Sequence, residues 1–188
     1  MKDRKQDIID AALVVLREHG LSGFTQPRIA AGAAVRQSHL TYYFPRRVDL
    51  LAGVARAAID QELAAVDGIV GVSSPQTAAK VIADIAVRHE NTRVIMALAQ
   101  AADQEPTLRE LFRELADGII VRAGKLLENL NITPTDEHCF LLHALSVGLA
   151  VIDLATARRG GQRRAERALG TALTLLTKGT ENEQHLSK

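Results

Sequence analysis

A dense run of hydrogen-bonding side chains lies in the first quarter of the chain: Arg36, Gln37, Ser38, His39, Thr41, Tyr42, Tyr43 and Arg47. Gln37 offers a donor and an acceptor on one planar group, and His39 offers either role according to its tautomer. Arginine and hydroxyl groups suit phosphate oxygens, and amide and imidazole groups suit the edges of bases. This set is built for recognition by hydrogen bonds and charge, not for making or breaking covalent bonds.

Groups that could do bond chemistry lack the spacing for it. Cys139 adjoins His138 and stands four residues before His143, but no nucleophile motif surrounds it, so a buried thiol is expected. His89-Glu90 is followed by Arg93 where a second metal-binding histidine would have to stand. Gly160-Gly161 has no lysine at phosphate-loop spacing. The expectation is no enzyme, no metal and no cofactor. A single cysteine also excludes an internal disulfide framework.

The elements that present the recognition set follow from periodicity. Ile8, Ile9, Ala12, Leu13, Val15 and Leu16 recur along one face of a helix over residues 7–19, and Gly20 stops it. Thr25 is placed as an N-cap with Pro27 in the first turn, for a short helix to about Gly32. A second short helix is expected from about Arg36 to Tyr43, ended by Pro45, and a longer one over 48–70. Ile29, Ala30, Ala33, Val35 and Leu40 would pack the short pair on Leu13 and Leu16, which is the pattern of a helix-turn-helix. In that geometry Arg36, Gln37, Ser38 and His39 are aimed at base edges, and Tyr42, Tyr43 and Arg47 sit where the chain can meet phosphates; Thr25, Arg28 and Thr41 complete the candidate phosphate set.

The remaining punctuation predicts helices from Pro75 to about Glu90, from Thr92 to Asp103, from Pro106 to about Asn129, from Thr133-Pro134 to Arg158, and over 163–178, with a polar, frayed tail over 179–188. About nine helices and little strand-like alternation give an all-α chain. Residues 1–52 hold eight basic and five acidic side chains, a net +3, against −2 for the rest. No apolar run approaches the roughly 20 residues that span a bilayer, and the charged start leads into no secretory segment. A cytoplasmic protein with no membrane partner is expected.

The stretch from Ile8 to Leu51 resembles the DNA-binding domain of the TetR family of transcriptional regulators. The resemblance is carried by Ile9, Ala11-Ala12, Gly20, Thr25, Ile29-Ala30, Ala33, Val35, Leu40, Tyr43-Phe44, Arg47 and Leu50-Leu51. Three positions depart from the family pattern: Ala34 for a bend glycine, Thr41 for a tyrosine, and Arg47 for a frequent lysine. A left-handed Ala34 would cost about 1 kcal/mol relative to glycine.

The resemblance implies a DNA-binding domain over 1–47 and a helical effector-binding and dimerisation domain over 48–188. It implies a homodimeric, ligand-released repressor on a palindromic double-stranded operator. The two-fold interface would use Leu142, Leu145, Leu149, Ile152, Leu169, Leu173 and Leu176. An unknown small-molecule effector, aliphatic or acidic because aromatic residues are few, would meet His89, Arg93, Met96, Gln100 and Asp103, at three- and four-residue spacings. Other readings are an activator or effector-independent regulator of the same fold, a helical interaction module, or a small enzyme using Cys139 and His143.

Overall fold

The computed structural model describes residues 3–186, with side chains described through Gly179. Among these residues the chain forms nine α-helices and one short 3-10 turn: α1 Arg4–His19, the turn Leu21–Gly23, α2 Gln26–Gly32, α3 Gln37–Tyr43, α4 Arg47–Val70, α5 Pro75–Ala86, α6 His89–Ala102, α7 Pro106–Asn129, α8 Asp136–Thr156 and α9 Gly161–Leu186. They divide into two compact units, Met1–Glu62 with Arg93–Leu115, and Leu63–Thr92 with Ala116–Lys188.

In the first unit, α1 starts one turn earlier than its apolar pattern predicts. The Asp3 carboxylate accepts from the backbone N–H groups of Lys5 and Gln6, at 3.0 and 3.4 Å, and this cap extends the helix through polar residues. Gly20, at φ 62°, ends it. Ile8, Leu13, Leu16, Ile29, Leu40, Phe44, Leu50 and Val54 are each within 3% of complete burial. Every such side chain contributes about 1.5–3 kcal/mol by leaving water, so the short helices α2 and α3 are held by packing rather than by propensity. Arg56 on α4 forms a two-bond ion pair with Glu114 on α7 in the same unit.

The second unit is built on α5, α8 and α9. Ala78, Ala79 and Ala83 line the buried side of α5, and the Ala79 methyl lies 3.8 Å from where a Cβ on Gly170 would be. Small residues on both helices therefore let α5 and α9 approach closely. The core holds Leu127, Ile132, Leu169 and Leu173, at 0–1% exposure, with Leu142 and Leu176 also buried.

Several expectations are corrected here. Leu142, Leu169, Leu173 and Leu176, expected at a two-fold interface, are buried in this unit's own core, at 0–9% exposure. Leu145 and Leu149 pack partly against the same core, and of the seven only Ile152 is exposed, at 61%. The α5–α6 break falls at Val87–Arg88, not after Glu90: the Arg88 N–H turns to the Ile85 carbonyl three residues back, and α6 begins at His89. The predicted tail continues α9 to Leu186, and residues 187–188 lie outside the described residues. Finally, α8 is long and apolar enough to cross a membrane by length and composition, contrary to expectation, yet only 17% of its most apolar stretch is buried within the chain. Polar interruptions such as His143 and Ser146 hide this in a search for unbroken runs.

Candidate nucleic-acid interface

The turn between α2 and α3 sets the geometry of the candidate interface. Val35 N–H donates to the Ala30 carbonyl at 2.9 Å and Ala34 N–H to the Ala31 carbonyl at 3.1 Å. This paired closure is a Schellman motif, and it requires a left-handed residue at Ala34, whose φ is 52°. The chain re-enters a helix at once, with Arg36 as extended N-cap and Leu40 as the single fully buried side chain of α3. One buried residue per two turns leaves the rest of α3 on the surface.

Arg36, Gln37, Ser38 and His39 are accordingly all exposed, side by side on the first turn of α3. Tyr42 is 79% exposed and Tyr43 39%, with their rings edge to face at 5.3 Å. Thr25 is exposed and its hydroxyl makes no capping bond to α2. The Arg47 guanidinium sits over the Phe24 ring at 5.9 Å and donates to the Leu21 carbonyl at 3.4 Å, which holds an exposed cation in place.

Two members of the predicted phosphate set are engaged elsewhere. Arg28 donates to the Gly23 carbonyl at 3.3 Å, bracing the 3-10 turn, and Thr41 donates to the Gln37 carbonyl at 3.0 Å within its own helix. The neighbouring arginine of the Arg46-Arg47 pair is also occupied. Asp49 accepts from the Arg46 backbone N–H and from its guanidinium, at 3.0 and 2.6 Å, capping α4. That hydrogen bond holds the Asp49 carboxyl below its usual range. Sequence reading did not single out Gln26, which is exposed on the first turn of α2 and borders, with Arg47 and Phe24, a cleft of about 180 Å³. Its place immediately after the Thr25 cap was the available signal.

The predicted effector set is not gathered in the same way. Arg93, Met96 and Gln100 are exposed on α6, and Asp103 is exposed just beyond its end. His89 is half-buried and turned onto Asp153, with 2.8 Å between Nε2 and the carboxylate. Cys139 is buried and its thiol is pushed up by that burial; His143 is pushed down by its own. No group of three or more His, Cys, Asp or Glu side chains is placed to hold a metal ion among the described residues.

Residues 8–54 match the model of a family described as bacterial regulatory proteins, tetR family. A 75-residue stretch is 37% identical to the HTH-type transcriptional repressor LfrR of Mycolicibacterium smegmatis, covering 40% of this chain and 39% of that protein. Among solved structures, a transcriptional regulator from Rhodococcus sp. Rha1 superposes with a TM-score of 0.82 at 21% identity, over 93% of this chain and 96% of its own. The multidrug binding protein EbrR, complexed with imidazole, superposes at 0.72 with 24% identity, over 92% and 96% of the two chains. At such identities the solved structures establish the shared all-helical fold. The family rests on the amino-terminal segment, where the matched residues are the ones that build and present α3. That likeness spans 47 of the 188 residues, so it is the amino-terminal segment that is similar to the tetR family of bacterial regulatory proteins.

Proposed function

We propose that the chain is a sequence-specific DNA-binding transcriptional regulator, a ligand-released repressor acting in the cytoplasm as a homodimer on a palindromic operator. The observation that carries the reading is the exposed first turn of α3, with Arg36, Gln37, Ser38 and His39 in a segment that matches the family. Residues 1–47 supply the reader and 48–188 the effector and dimer functions. Base edges are met by those four side chains. Phosphates are met by Thr25, Tyr42, Tyr43 and Arg47, with Arg28 and Thr41 supporting the backbone around them.

The test is selection of duplex DNA from a random library, then titration of the winner. Gln37→Ala and His39→Ala each lower affinity for the winner by about 1–3 kcal/mol and relax the base preference. Arg47→Ala weakens binding to all sequences alike and lowers the salt slope. Palindromic winners support the dimer; no enrichment, after refolding to strip bound ligand, refutes the reading.

A homodimer is supported by the apolar surface that the second unit leaves open. Phe140, Leu141, Val147 and Ile152 on α8 and Leu175 on α9 are 48–65% exposed, on helices whose other sides already fill the core. These residues replace the buried leucines as the candidate interface, and a second copy of the chain covers them. Ile152→Asp is expected to convert a dimer into a monomer by light scattering, with operator affinity falling sharply. A wild-type monomer, or wild-type protein that partitions into bilayers, sinks the dimer.

Release needs a small molecule that binds more tightly to a conformation unfit for the operator. Helix α4 has residues in both compact units, which makes it the candidate lever. We place the effector among residues 74–130 and expect a small aliphatic or acidic compound. EbrR has also been solved with proflavin. A thermal-shift screen that sets acyl carboxylates against proflavin decides between the two chemistries.

A further inference from the structure

Residues 158–167, Arg-Arg-Gly-Gly-Gln-Arg-Arg-Ala-Glu-Arg, hold five arginines and one glutamate, a local charge of +4. The preceding residues 53–157 carry eight basic and fourteen acidic side chains, a net −6. The segment is more basic than residues 1–52, at +3, in about a fifth of the length.

The turn that carries these charges is fixed. Helix α8 ends with Ala157 left-handed at φ 45°, and Gly160 at φ 75° delivers the chain into α9. Arg164 folds back to donate to the carbonyls of Arg159 and Arg158, at 2.7 and 3.1 Å, and approaches Asp153 at 3.7 Å. Asp153, anchored by His89, lies so close to Gly161 that a Cβ there would collide with its carboxylate. One arginine is thus spent on the turn. The other four, Arg158, Arg159, Arg163 and Arg167, are exposed and have no ion-pair partner among the described residues.

The fold gains little from Arg163 and Arg167, the two free arginines at the start of α9. Cations in the first turns of a helix oppose the positive end of its dipole, and Arg163 and Arg167 are like charges four residues apart. A polyanionic partner reverses both penalties. The cluster contains no lysine, and the guanidinium fork matches phosphate oxygens in pairs. A turn already rigid loses little entropy on contact.

We propose that the α8–α9 turn is a second, sequence-independent contact for the phosphate backbone of duplex DNA, made by Arg158, Arg159, Arg163 and Arg167. The inference rests on the reading of the chain as a DNA binder and adds a surface outside its reading head.

The full-length protein tests it, as wild type, as R158A/R159A/R163A/R167A, and as the four matching Arg→Lys changes. Affinity for the selected operator, on a duplex long enough to extend past it, is measured from about 50 to 200 mM salt. Each lost phosphate contact lowers the slope of log affinity against log salt by about 0.9. One contact per protomer of a dimer therefore removes about 1.8, and the affinity lost across that range shrinks about tenfold. The alanine variant is expected to show this with base preference unchanged, and the lysine variant to retain the wild-type slope.

An unchanged slope in an alanine variant that still binds the operator overturns the proposal and leaves the reading head intact. Wild-type protein that selects no duplex refutes the DNA reading itself, a distinct result that ends both. Loss of binding to vesicles of equal parts phosphatidylglycerol and phosphatidylcholine, with the DNA slope unchanged, reassigns the cluster to anionic lipid.

Discussion

Replacing Ala34 by glycine should stabilise the reading head, an unusual direction for a substitution in a packed unit. Ala34 has a φ of 52°, fixed there by the two hydrogen bonds that close α2. An L-residue with a Cβ loses about 1–2 kcal/mol in that conformation. Glycine removes the penalty but gives back about 0.5–1 kcal/mol through the greater freedom of the unfolded chain. Ala34 is exposed, so no buried contact is lost, and the net expectation is a gain of about 0.5–1 kcal/mol. Ala33, one residue earlier, is right-handed at φ −83° and half-buried. The same change there should destabilise by about 0.5–1 kcal/mol, so two adjacent alanine-to-glycine changes have opposite signs.

The assay is built into the sequence. The chain has no tryptophan and its two tyrosines, Tyr42 and Tyr43, both lie on α3, so tyrosine fluorescence reports on the head alone. Urea unfolding followed this way should give a higher midpoint for Ala34→Gly, a lower one for Ala33→Gly, and unchanged slopes. A midpoint for Ala34→Gly as low as that of Ala33→Gly would refute the left-handed turn, and with it the placing of α3.

Two further outcomes follow from the second unit. Burial holds the His143 ring below its usual value, so below about pH 6.5 the unfolded chain takes up a proton that the folded chain resists. Stability should therefore fall as pH drops from about 7.5 to 5.5 and fall less in His143→Gln; equal slopes by thermal unfolding at each pH would count against this origin. Gly161→Ala should destabilise by about 1–3 kcal/mol, because its methyl would displace the Asp153 carboxylate from His89 and Arg164. Gly68→Ala, on α4 with nothing within 4 Å of the new methyl, should instead be neutral or stabilising.

The head was legible in the sequence because its determinants are local. Gly20, Pro27, Leu40 and the apolar spacing of α1 act within one or two turns of themselves, and the structure buries Leu13, Leu16, Ile29, Ala30 and Leu40 as the spacing implies, with Ala33 and Val35 half-buried. The strain at Ala34 was signalled through the resemblance, since Ala34 stands where the family usually has a bend glycine, and its φ of 52° is left-handed. What escaped was the set of side-chain engagements that depend on folding back over a few residues. Arg28 and Thr41 have the right types for phosphate contact, yet each donates to a backbone carbonyl four or five residues earlier. Composition names a donor but not the nearest acceptor.

The interface leucines show a different limit. Periodicity establishes that α8 and α9 are apolar, but a helix apolar on most of its circumference has two faces to assign, and spacing alone does not say which meets its own chain. Leu142, Leu169 and Leu173 satisfy the second unit's own core, and that demand comes first because the unit cannot fold without it. Phe140, Leu141, Val147 and Ile152 are then left outside, an apolar surplus on α8 that water disfavours. A chain that needed α8 only as a core helix would carry polar residues there. Their apolar character is therefore the stronger argument for a second copy, and it became visible only once the core had claimed its share.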